Sequence, residues 1–290
     1  MLIRIISILF PLFAITVLGY LIGRRTTPDL SHANQLNMDV FTPALIFSAL
    51  AGNDCRIISY LALSASVLLI IAGSGLAGWG IARLCKVRAK TLVPPLMFNN
   101  CGNLGLPIAV LTFGPRALMP AVVMFVVSNI LHFSFGAWLL DHHSRLSRVL
   151  RSPSVLAALS GLLVGSLGWH LWPPLLIAVK MLGDISIPLM LFALGARLAN
   201  SHIRSVGFGL WGGALRPMLG MGLAWLAMHL LVLPPEQRAL LLVFGALPPA
   251  VLNYMFAERY QQEPDKVASV VLIGNLESLL FLPLALWLSL

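Results

Sequence analysis

The sequence between residues 98 and 107 reads Phe98-Asn99-Asn100-Cys101-Gly102-Asn103-Leu104-Gly105-Leu106-Pro107. It lies within an apolar segment long enough to cross a bilayer, yet three Asn, two Gly and one Pro disfavour a continuous helix. Lipid cannot hydrogen-bond the backbone groups that such a break releases, so unwound chain at membrane depth persists only within protein or beside a wet cavity. The segment therefore predicts a broken helix at a binding site. A packing seam of small residues between helices is the structural alternative.

The composition is that of a polytopic membrane protein. Of 290 residues, 59% are hydrophobic and 10% are charged, and the mean hydropathy is +0.91, which a soluble globular domain does not reach. The formal net charge of +9 comes from basic clusters between apolar segments, a topology signal of membrane proteins. The three cysteines show no CxxC or His-spaced pattern. We therefore expect the lipid bilayer as a partner, and no nucleic acid, metal or cofactor.

Hydropathy predicts ten membrane-spanning helices of about 20 residues each. Their approximate ranges are 4–23, 35–52, 57–82, 92–114, 117–140, 153–172, 175–196, 206–232, 238–257 and 267–289. Thirteen Lys and Arg fall in the loops on one side and five on the other, while Arg216 lies within a span. Because basic loops stay in the cytoplasm, we expect a multi-pass protein of the cell (cytoplasmic or inner) membrane with both termini outside. The loops at 83–90 and 141–152 would then be cytoplasmic.

The chain repeats itself at half its length. A shift of 145 residues places Asp39 on Asp184, each followed four residues later by Pro. Acidic residues within spans are rare, so this match is informative. The predicted units are 1–145 and 146–290, with five spans each. An odd number of spans makes the second unit enter the membrane from the opposite side, which predicts inverted repeats in an all-α fold.

The same shift places a second interruption, in span nine, opposite the first. It reads Gly245-Ala246-Leu247-Pro248-Pro249-Ala250-Val251-Leu252-Asn253-Tyr254. Tandem Pro removes two backbone donors and forces the preceding residue out of the α region. Inverted repeats with paired broken helices are the architecture of secondary transporters, which bind their substrate between the breaks at the membrane midplane. A channel or a passive uniporter is the alternative, because broken helices also line pores.

Several motifs resemble the auxin efflux carrier family, including its bacterial members. They are Gly19-Tyr20-Leu21-Ile22-Gly23-Arg24-Arg25, Gly105-Leu106-Pro107, Ala246-Leu247-Pro248, Phe256-Ala257-Glu258-Arg259-Tyr260 and Pro264-Asp265. The resemblance runs almost end to end. It implies the ten-helix fold of the bile-acid symporters, with broken helices four and nine crossing. Helices 1, 2, 6 and 7 would form a scaffold, and helices 3–5 and 8–10 a mobile core. The implied substrates are organic carboxylates, such as auxin in plants and malonate- or malate-like acids in bacterial relatives.

The candidate substrate-binding residues gather at the two breaks. The N-terminus of a half-helix carries unpaired N–H groups and a partial positive charge, which suits a carboxylate. Side-chain amides there can donate to the substrate, turn their oxygens to a cation, or merely cap the helices. The resemblance implies that Asn100 contacts the carboxylate and that Pro248 is the family's span-nine Pro, whereas Pro249 and Asn253 depart from the plant pattern. The candidates are Asn99, Asn100, Gly102, Asn103, Pro107, Pro248, Pro249, Asn253 and Arg216.

Charged residues within the spans are the candidates for ion coupling. Arg216 lies too deep in span eight for a snorkelling end residue, and we expect it either to pair with Glu277 or to attract the substrate anion. Glu277, beside Asn275, is the preferred group for coupling to a proton or cation. Two further candidates, Asp39 and Asp184, fit a structural role equally well. His132 in span five is interpreted as a packing residue, with a proton relay as the alternative.

The sequence thus predicts a secondary carrier and not an enzyme. An intramembrane aspartyl protease also needs two Asp within spans, but Asp184 follows Met181-Leu182-Gly183 instead of a Gly-x-Gly pattern. The expected activity is transport of small organic carboxylate anions by alternating access, with a proton as coupling ion. Sodium-coupled symport and an uncoupled uniporter or channel are the alternatives, and a homodimer is an alternative to a monomer.

Overall fold

The computed structural model describes residues 2–26, 28–51, 57–141, 151–169, 171–200 and 203–290, and this part of the chain is mostly helical. The helices are α1 (Leu2–Thr26), α2 (Ser31–Leu36), α3 (Thr42–Ala51), α4 (Leu61–Leu84), α5 (Ala89–Met97), α6 (Leu106–Phe113), α7 (Leu118–Leu131), α8 (Ala137–Leu140), α9 (Pro153–Ser166), α10 (Pro173–Asn200), α11 (Val206–Leu230), α12 (Pro235–Ala246), α13 (Val251–Arg259) and α14 (Pro264–Ser289). Single π-helical turns precede α3, α6 and α8, at Asn37–Phe41, Cys101–Gly105 and His132–Gly136.

Helix lies within each of the ten predicted spans. Five helical segments of the described chain are long and apolar enough to cross a membrane. They are α1, α4, α10, α14 and the segment Pro115–Leu140, which contains α7 and α8 and is called the α7–α8 rod here. The prediction of an all-helical, polytopic membrane protein is therefore confirmed. Ten crossings stay a prediction, because most of the other predicted spans hold short or interrupted helices. Most of the basic loop 141–152 lies outside the described residues, since the description stops at 141 and resumes at 151.

One group of helices packs through close backbone contacts. α1 lies along α10, and α3 packs on both α9 and α10. A Cβ on Gly19 would lie 2.1 Å from the carbonyl oxygen of Phe192, and a Cβ on Gly195 would lie 1.9 Å from that of Thr16. Only glycine allows two helix backbones to approach this closely, as in the small-residue interfaces of membrane helices. The Gly19–Gly23 motif is therefore a helix-packing element.

The second group comprises α4 to α8 and α11 to α14. Its most extensive contacts join α11 to α14, α11 to α12, and α4 to α5. α4 and α11 also pack against each other and so link the two halves of the chain. Contacts between this group and the first are less extensive than those within either group. The two interrupted helices lie in the second group, next to its boundary with the first.

Candidate functional site

Both predicted helix breaks are present. α5 ends at Met97, and helical structure resumes at Cys101. α12 ends at Ala246, and α13 begins at Val251. Gly, Asn and Pro are poor helix formers at these positions, so the chain leaves the helical path where the sequence predicts that it should.

The two unwound segments cross and pair with each other. Asn99 and Pro249 form an antiparallel bridge. The Asn100 N–H donates to the Pro248 carbonyl at 2.8 Å, and the Ala250 N–H donates to the Phe98 carbonyl at 3.0 Å. Each break thus satisfies backbone groups that the other would leave without a partner in the membrane.

The pairing between the breaks follows an offset different from that of the two aspartates. A shift of 145 residues would place Asn99 opposite Phe244, but its bridge partner is Pro249, 150 residues further along the chain. The same offset of 150 relates Asn100 to Ala250 and Phe98 to Pro248. The hydrogen bond from Asn100 to Pro248 is therefore equivalent to the one from Ala250 to Phe98. The sequence match at Asp39 and Asp184 therefore does not extend unchanged to the breaks, because the two connecting stretches differ in length.

Two buried side-chain amides cap the crossing. Asn99 Nδ2 donates to the Phe244 carbonyl at 2.6 Å, near the end of α12. Asn253 Nδ2 donates to the carbonyls of Phe98 and Ala250, both at 3.0 Å. The Oδ1 atoms of Asn99 and Asn253 are buried and have no hydrogen-bond partner. The amide nitrogens of both residues are therefore committed to the backbone.

Asn100 and Asn275 tie the crossing to α14. Asn100 Nδ2 donates to Asn275 Oδ1 at 3.0 Å. Asn275 Nδ2 in turn donates to the carbonyls of Pro249, at 3.1 Å, and Val271, at 2.7 Å. Asn275 thus reaches the break in span nine and the substrate-binding candidate Asn100 at once.

A cavity of about 210 Å³ lies beside the crossing and is called the crossover cavity here. Its polar lining includes Asn37, Asp39, Asn99, Asn100, Asn103, Ser128, Asn129 and His132. Gly102 and Asn103 bring the first turn of one half-helix to its wall, and Val251 and Leu252 bring the first turn of the other. The first N–H groups of a helix have no carbonyl of that helix to bond. Two positive helix ends therefore meet at one polar cavity.

Asn103 differs from its neighbours because its amide is free. It lines the crossover cavity and is partly exposed, and its side chain makes no hydrogen bond to any of the described residues. Pro107, by contrast, is buried in the first turn of α6 and does not reach the cavity. Pro248 and Pro249 also lie off the cavity wall and shape the break through their carbonyls and rigid rings. Of the candidate residues, Asn103 is best placed to donate to a ligand.

A larger cavity of about 550 Å³, called the vestibule here, lies on the other side of α13. Its lining includes Ser31, Asn34, Arg197, Arg204, Glu258, Asp265 and Asn275. Val251 borders both cavities. Asn100 faces the crossover cavity and Asn275 faces the vestibule, so their hydrogen bond separates the two spaces.

Arg216 and Glu277 do not form the predicted pair. Arg216 is fully buried and donates from one guanidinium nitrogen to the Gly245 carbonyl at 3.2 Å, while its Nε and second terminal nitrogen have no partner. Glu277 Oε2 is buried without a partner, against Gly213 of α11. Neither residue lines the crossover cavity. Arg216 instead places its charge at the C-terminal, negative end of α12, an arrangement that the helix dipole favours.

The two repeat-related aspartates lie in different environments. Asp39 lines the crossover cavity. Asp184 is exposed and forms a 2.8 Å ion pair with Lys180, one turn earlier in α10. The repeat predicted the positions of the two residues but not this difference, which arises because α10 is continuous whereas α2 and α3 meet at a π-helical turn.

Several polar residues of the cavity were not predicted as binding residues from the sequence, although His132 was named there as a packing residue with a proton relay as the alternative. Ser128, Asn129 and His132 all come from the α7–α8 rod and line its wall. Ser128 and His132 are four residues apart and therefore share one helix face, a pattern that would have identified a polar stripe in span five. Asn37 has no comparable signal, because its place at the cavity depends on the packing of α2 and α3.

A membrane-embedded chain in which two broken helices cross at a polar cavity belongs to the class of membrane transport proteins. Comparison with known proteins agrees with this class. A family model described as "Membrane transport protein" matches residues 4–146 and 142–287. The chain belongs to this family, which includes the auxin efflux carriers.

Two archaeal relatives are similar over almost their full length. An uncharacterized transporter of Methanothermobacter thermautotrophicus is 27% identical over 284 residues, which cover 93% of each chain. An uncharacterized transporter of Methanocaldococcus jannaschii is 23% identical over 280 residues, with 89% of this chain and 90% of the relative covered. Auxin efflux carrier component 1 of Arabidopsis thaliana is 26% identical over 139 residues, which cover 46% of this chain and 22% of the plant protein.

Proposed function

We propose that the chain is a secondary carrier of small organic carboxylate anions, either malonate- or malate-like or auxin-like acids, across the cell membrane by alternating access. The observation that carries this proposal is the crossover cavity, where the first turns of two half-helices meet beside the free amide of Asn103. Such a site offers several N–H donors and two positive helix ends to one anionic group. Asn100 and Gly102 are proposed to complete the contacts, while Asn99, Asn253, Pro107, Pro248 and Pro249 hold the breaks in shape.

The proposed architecture has ten spans in two inverted repeats, 1–145 and 146–290. Hydrogen bonds between residues at the ends of the spans support it. The Thr91 hydroxyl donates to Glu263 Oε2 at 2.6 Å, so the ends that precede spans four and ten lie on one side. Gln237 Nε2 donates to the Ser59 carbonyl at 3.3 Å, so the ends that precede spans three and nine lie on one side too. Each contact joins ends that ten alternating spans place on the same membrane face.

The proposed moving parts follow the two packing groups. α1, α2, α3, α9 and α10 are assigned to the scaffold, and the remaining helices to the mobile core. Corresponding helices pack alike in the two halves, because α1 on α10 mirrors α3 on α9, and α4 on α5 mirrors α11 on α12. The crossover cavity is bordered by both groups, with Asp39 on the scaffold and Asn103 on the core. A shift of the core along the scaffold would then carry the substrate site across the membrane.

Both cavities lie towards the face that the basic loops predict to be cytoplasmic. The vestibule is lined by residues of the stretches 28–34 and 197–204, which connect predicted spans. The crossover cavity reaches Ser152 and Ser154 at the start of α9. Both termini are then outside, as the loop charges suggest. The vestibule carries both signs of charge, because Arg197 and Arg204 line it together with Glu258 and Asp265, and Arg204 pairs with Asp265 at 3.0 Å.

We also propose that two copies associate through the scaffold. The Lys180–Asp184 pair projects from α10 with 64% and 57% of its side chains exposed. Charged groups within a span are costly against lipid and usually face protein or water. A second copy of the chain would cover this pair.

Transport assays test the main proposal. Purified protein in proteoliposomes is offered a panel of mono- and dicarboxylates, with proton and sodium gradients imposed separately. The proposal expects saturable uptake of at least one carboxylate, driven by the pH gradient. Uptake driven by the sodium gradient alone would identify a sodium symporter. Uptake that neither gradient affects would identify a uniporter. Absence of carboxylate transport in correctly inserted protein would refute the proposal.

Coupling is tested at Glu277, whose carboxyl lies in an apolar span without a cationic partner. Glu277→Gln keeps the shape and removes the ionisation. The variant should still exchange substrate across the membrane but lose the accumulation that a pH gradient drives. Accumulation equal to that of the parent would make Glu277 a packing residue between α14 and Gly213.

A further inference from the structure

The crossover cavity has titratable groups that the proposed coupling at Glu277 does not use. Within the described part of the chain, Asp39, Cys101 and His132 line it. His132 stands out because an imidazole changes charge in the physiological pH range. It lies on the rod formed by α7 and α8, at the first residue of the π-helical turn, and such turns are frequent at functional sites.

His132 is held rigidly between the two broken helices. Its ring stacks on Phe98, in the first break, with centroids 4.1 Å apart and planes 6° from parallel. It meets the edge of Phe256, in α13, at 5.3 Å. Gly136 leaves space for this stack, because a Cβ there would lie 2.8 Å from Phe98 and 3.1 Å from His132. The position of the imidazole is therefore fixed relative to both half-helices.

The imidazole forms no ion pair within the described part of the chain. His132 is only 4% exposed, and its buried Nε2 atom has no hydrogen-bond partner among the described residues. The rings of Phe98 and Phe256 contact it, the neutral Asn253 amide lies near it, and Cys101 and Asp39 line the same cavity. Burying an unpaired cation is costly, so these residues offer a protonated ring little compensation.

A bound carboxylate would supply the missing charge. It would lie in the cavity that His132 lines, next to the half-helix ends at Gly102 and Val251. An opposite charge nearby favours the protonated imidazole, and a protonated imidazole in turn favours the anion, because the two binding equilibria are linked.

We propose that His132 takes up one proton when a carboxylate enters the crossover cavity and releases it when the carboxylate leaves. This inference rests on the proposed carrier function and identifies a group at the substrate site itself, distinct from Glu277, that moves a proton together with the anion. The proton comes from water on the side to which the cavity is open, binds a ring nitrogen, and returns to water on the other side. The carboxylate stays ionised throughout, and no other bond is made or broken.

The test is a binding measurement on the full chain in detergent, with malate and indole-3-acetate as probes. Both probes are fully ionised from about pH 6.5 to about pH 8.5, so any proton uptake belongs to the protein. Titration calorimetry in two buffers of different ionisation enthalpy counts the protons taken up per ligand. The expected result for the parent is an uptake near one, with affinity falling about tenfold per pH unit as pH rises.

Matched variants assign the proton to a residue. His132→Asn and His132→Gln should both abolish the uptake and flatten the pH dependence. His229→Asn is the control, because His229 lies exposed at the end of α11, away from both cavities, and should retain the parent's behaviour. If the His132 variants do not fold, imidazole nitrogen chemical shifts of the parent, with and without malate, report the same protonation.

Each other outcome is decisive. Parent affinity that does not change with pH overturns the proposal without any variant. Unchanged proton uptake in folded His132 variants overturns it too, and loss of uptake in Asp39→Asn alone would move the proton to Asp39. Failure of the parent to bind any carboxylate at any pH would instead refute the proposed carrier function, on which the role of His132 depends.

Discussion

The two helix breaks form one crossing from different residues. The first break contributes donors, through the Asn100 N–H and the amides of Asn99 and Asn100. The second break returns two donors, the Ala250 N–H and the Asn253 amide, both of which bond the Phe98 carbonyl of the first break. Its prolines have no N–H and offer carbonyls instead, Pro248 to Asn100 and Pro249 to Asn275 of α14. The backbone pairing is therefore reciprocal, and the two breaks differ in their side chains.

Asn103 and Asn253 show the same contrast in one pair of residues. They are separated by 150 residues, the offset that relates Asn99 to Pro249. Asn253 is 1% exposed and donates to two backbone carbonyls, whereas the Asn103 side chain makes no hydrogen bond to any described residue and lines the crossover cavity. Equivalent amides thus serve stability in the second break and are available to a ligand in the first.

The largest effect is expected from adding one methyl group beside each break, which tests how tightly each break is enclosed by its neighbours. A Cβ at Gly245 would lie 2.4 Å from the backbone oxygen of Gly220, which cannot move without shifting α11. A Cβ at Gly105 would meet the end of the Leu247 side chain at 2.9 Å, which can rotate. We expect Gly245→Ala to cost about 3 kcal/mol or more and Gly105→Ala about 1 kcal/mol.

Thermal unfolding in detergent measures both variants. Gly222→Ala is the reference, because a Cβ there meets nothing within 4 Å. Equal destabilisation by Gly245→Ala and Gly105→Ala would show that the second break is no more tightly enclosed than the first.

Removing an amide from the first break should weaken carboxylate binding. A hydrogen bond to a charged group contributes about 1.5–3 kcal/mol, or roughly ten- to hundredfold in affinity. We expect losses in this range for Asn103→Ala and for Asn100→Ala, both in protein that remains folded and extractable. Isothermal titration with the best carboxylate of the transport panel measures the effect. Parent-like affinity in Asn100→Ala would reduce that residue to a link between the crossing and α14.

Removing the equivalent amide from the second break should lower stability instead. Asn253→Ala deletes the donor to two buried carbonyls, each of which keeps one other hydrogen bond. The expected cost is about 1–2 kcal/mol of unfolding free energy, with carboxylate affinity close to that of the parent. The unfolding midpoint and the dissociation constant of the same sample separate the two effects. A large loss of affinity without loss of stability would place Asn253 at the ligand.

The smallest expected effect lies at the N-terminal ends of α5 and α14. The Lys266 ammonium, and after it the Thr91 hydroxyl at the start of α5, hold the pKa of the Glu263 carboxyl below its ordinary value. A folded-state pKa below the unfolded value, near about 4.3, gives stabilisation that is complete above that value and lost as pH falls through the folded pKa. Glu263→Gln should therefore cost less than about 1 kcal/mol at neutral pH, and the difference from the parent should vanish in acid. A difference that persists in acid would show that it does not come from ionisation of Glu263.

The sequence predicts where helices and helix breaks lie better than it predicts which segments pair with each other. Gly, Asn and Pro together around Asn100 and around Pro248 indicate both breaks, because such clusters disfavour a continuous helix, whereas Pro94 and Pro95 lie within α5. The antiparallel bridge itself joins residues 150 positions apart, and hydropathy carries no information about such pairing. For the same reason, the offset that aligns Asp39 with Asp184 does not reveal which residues pair at the crossing.

The candidate site shows the same limit. Asn100 and Asn103 were predicted from the local sequence, and both line the crossover cavity. Arg216 was expected either to pair with Glu277 or to attract the substrate anion, but its guanidinium donates to the Gly245 carbonyl at the end of α12 instead, since the direction of a side chain depends on how helices pack. His132 was interpreted from the sequence as a packing residue, with a proton relay as the alternative, because a single His in an apolar span is usually a packing residue. Its significance depends on the cavity that three distant segments enclose.

The antiparallel bridge also dictates an order of events during biosynthesis. Asn100 needs the carbonyl of Pro248, and Phe98 needs the N–H of Ala250, yet a ribosome that adds about 5–20 residues per second reaches those partners on the order of 10 s later. Throughout that delay, the first break has unpaired backbone groups that hydrocarbon cannot satisfy. The first half of the chain must therefore remain in a hydrated or protein-enclosed environment, such as the insertion machinery or the headgroup region, until the second half has been synthesised. Membrane integration of span four is thus completed by span nine.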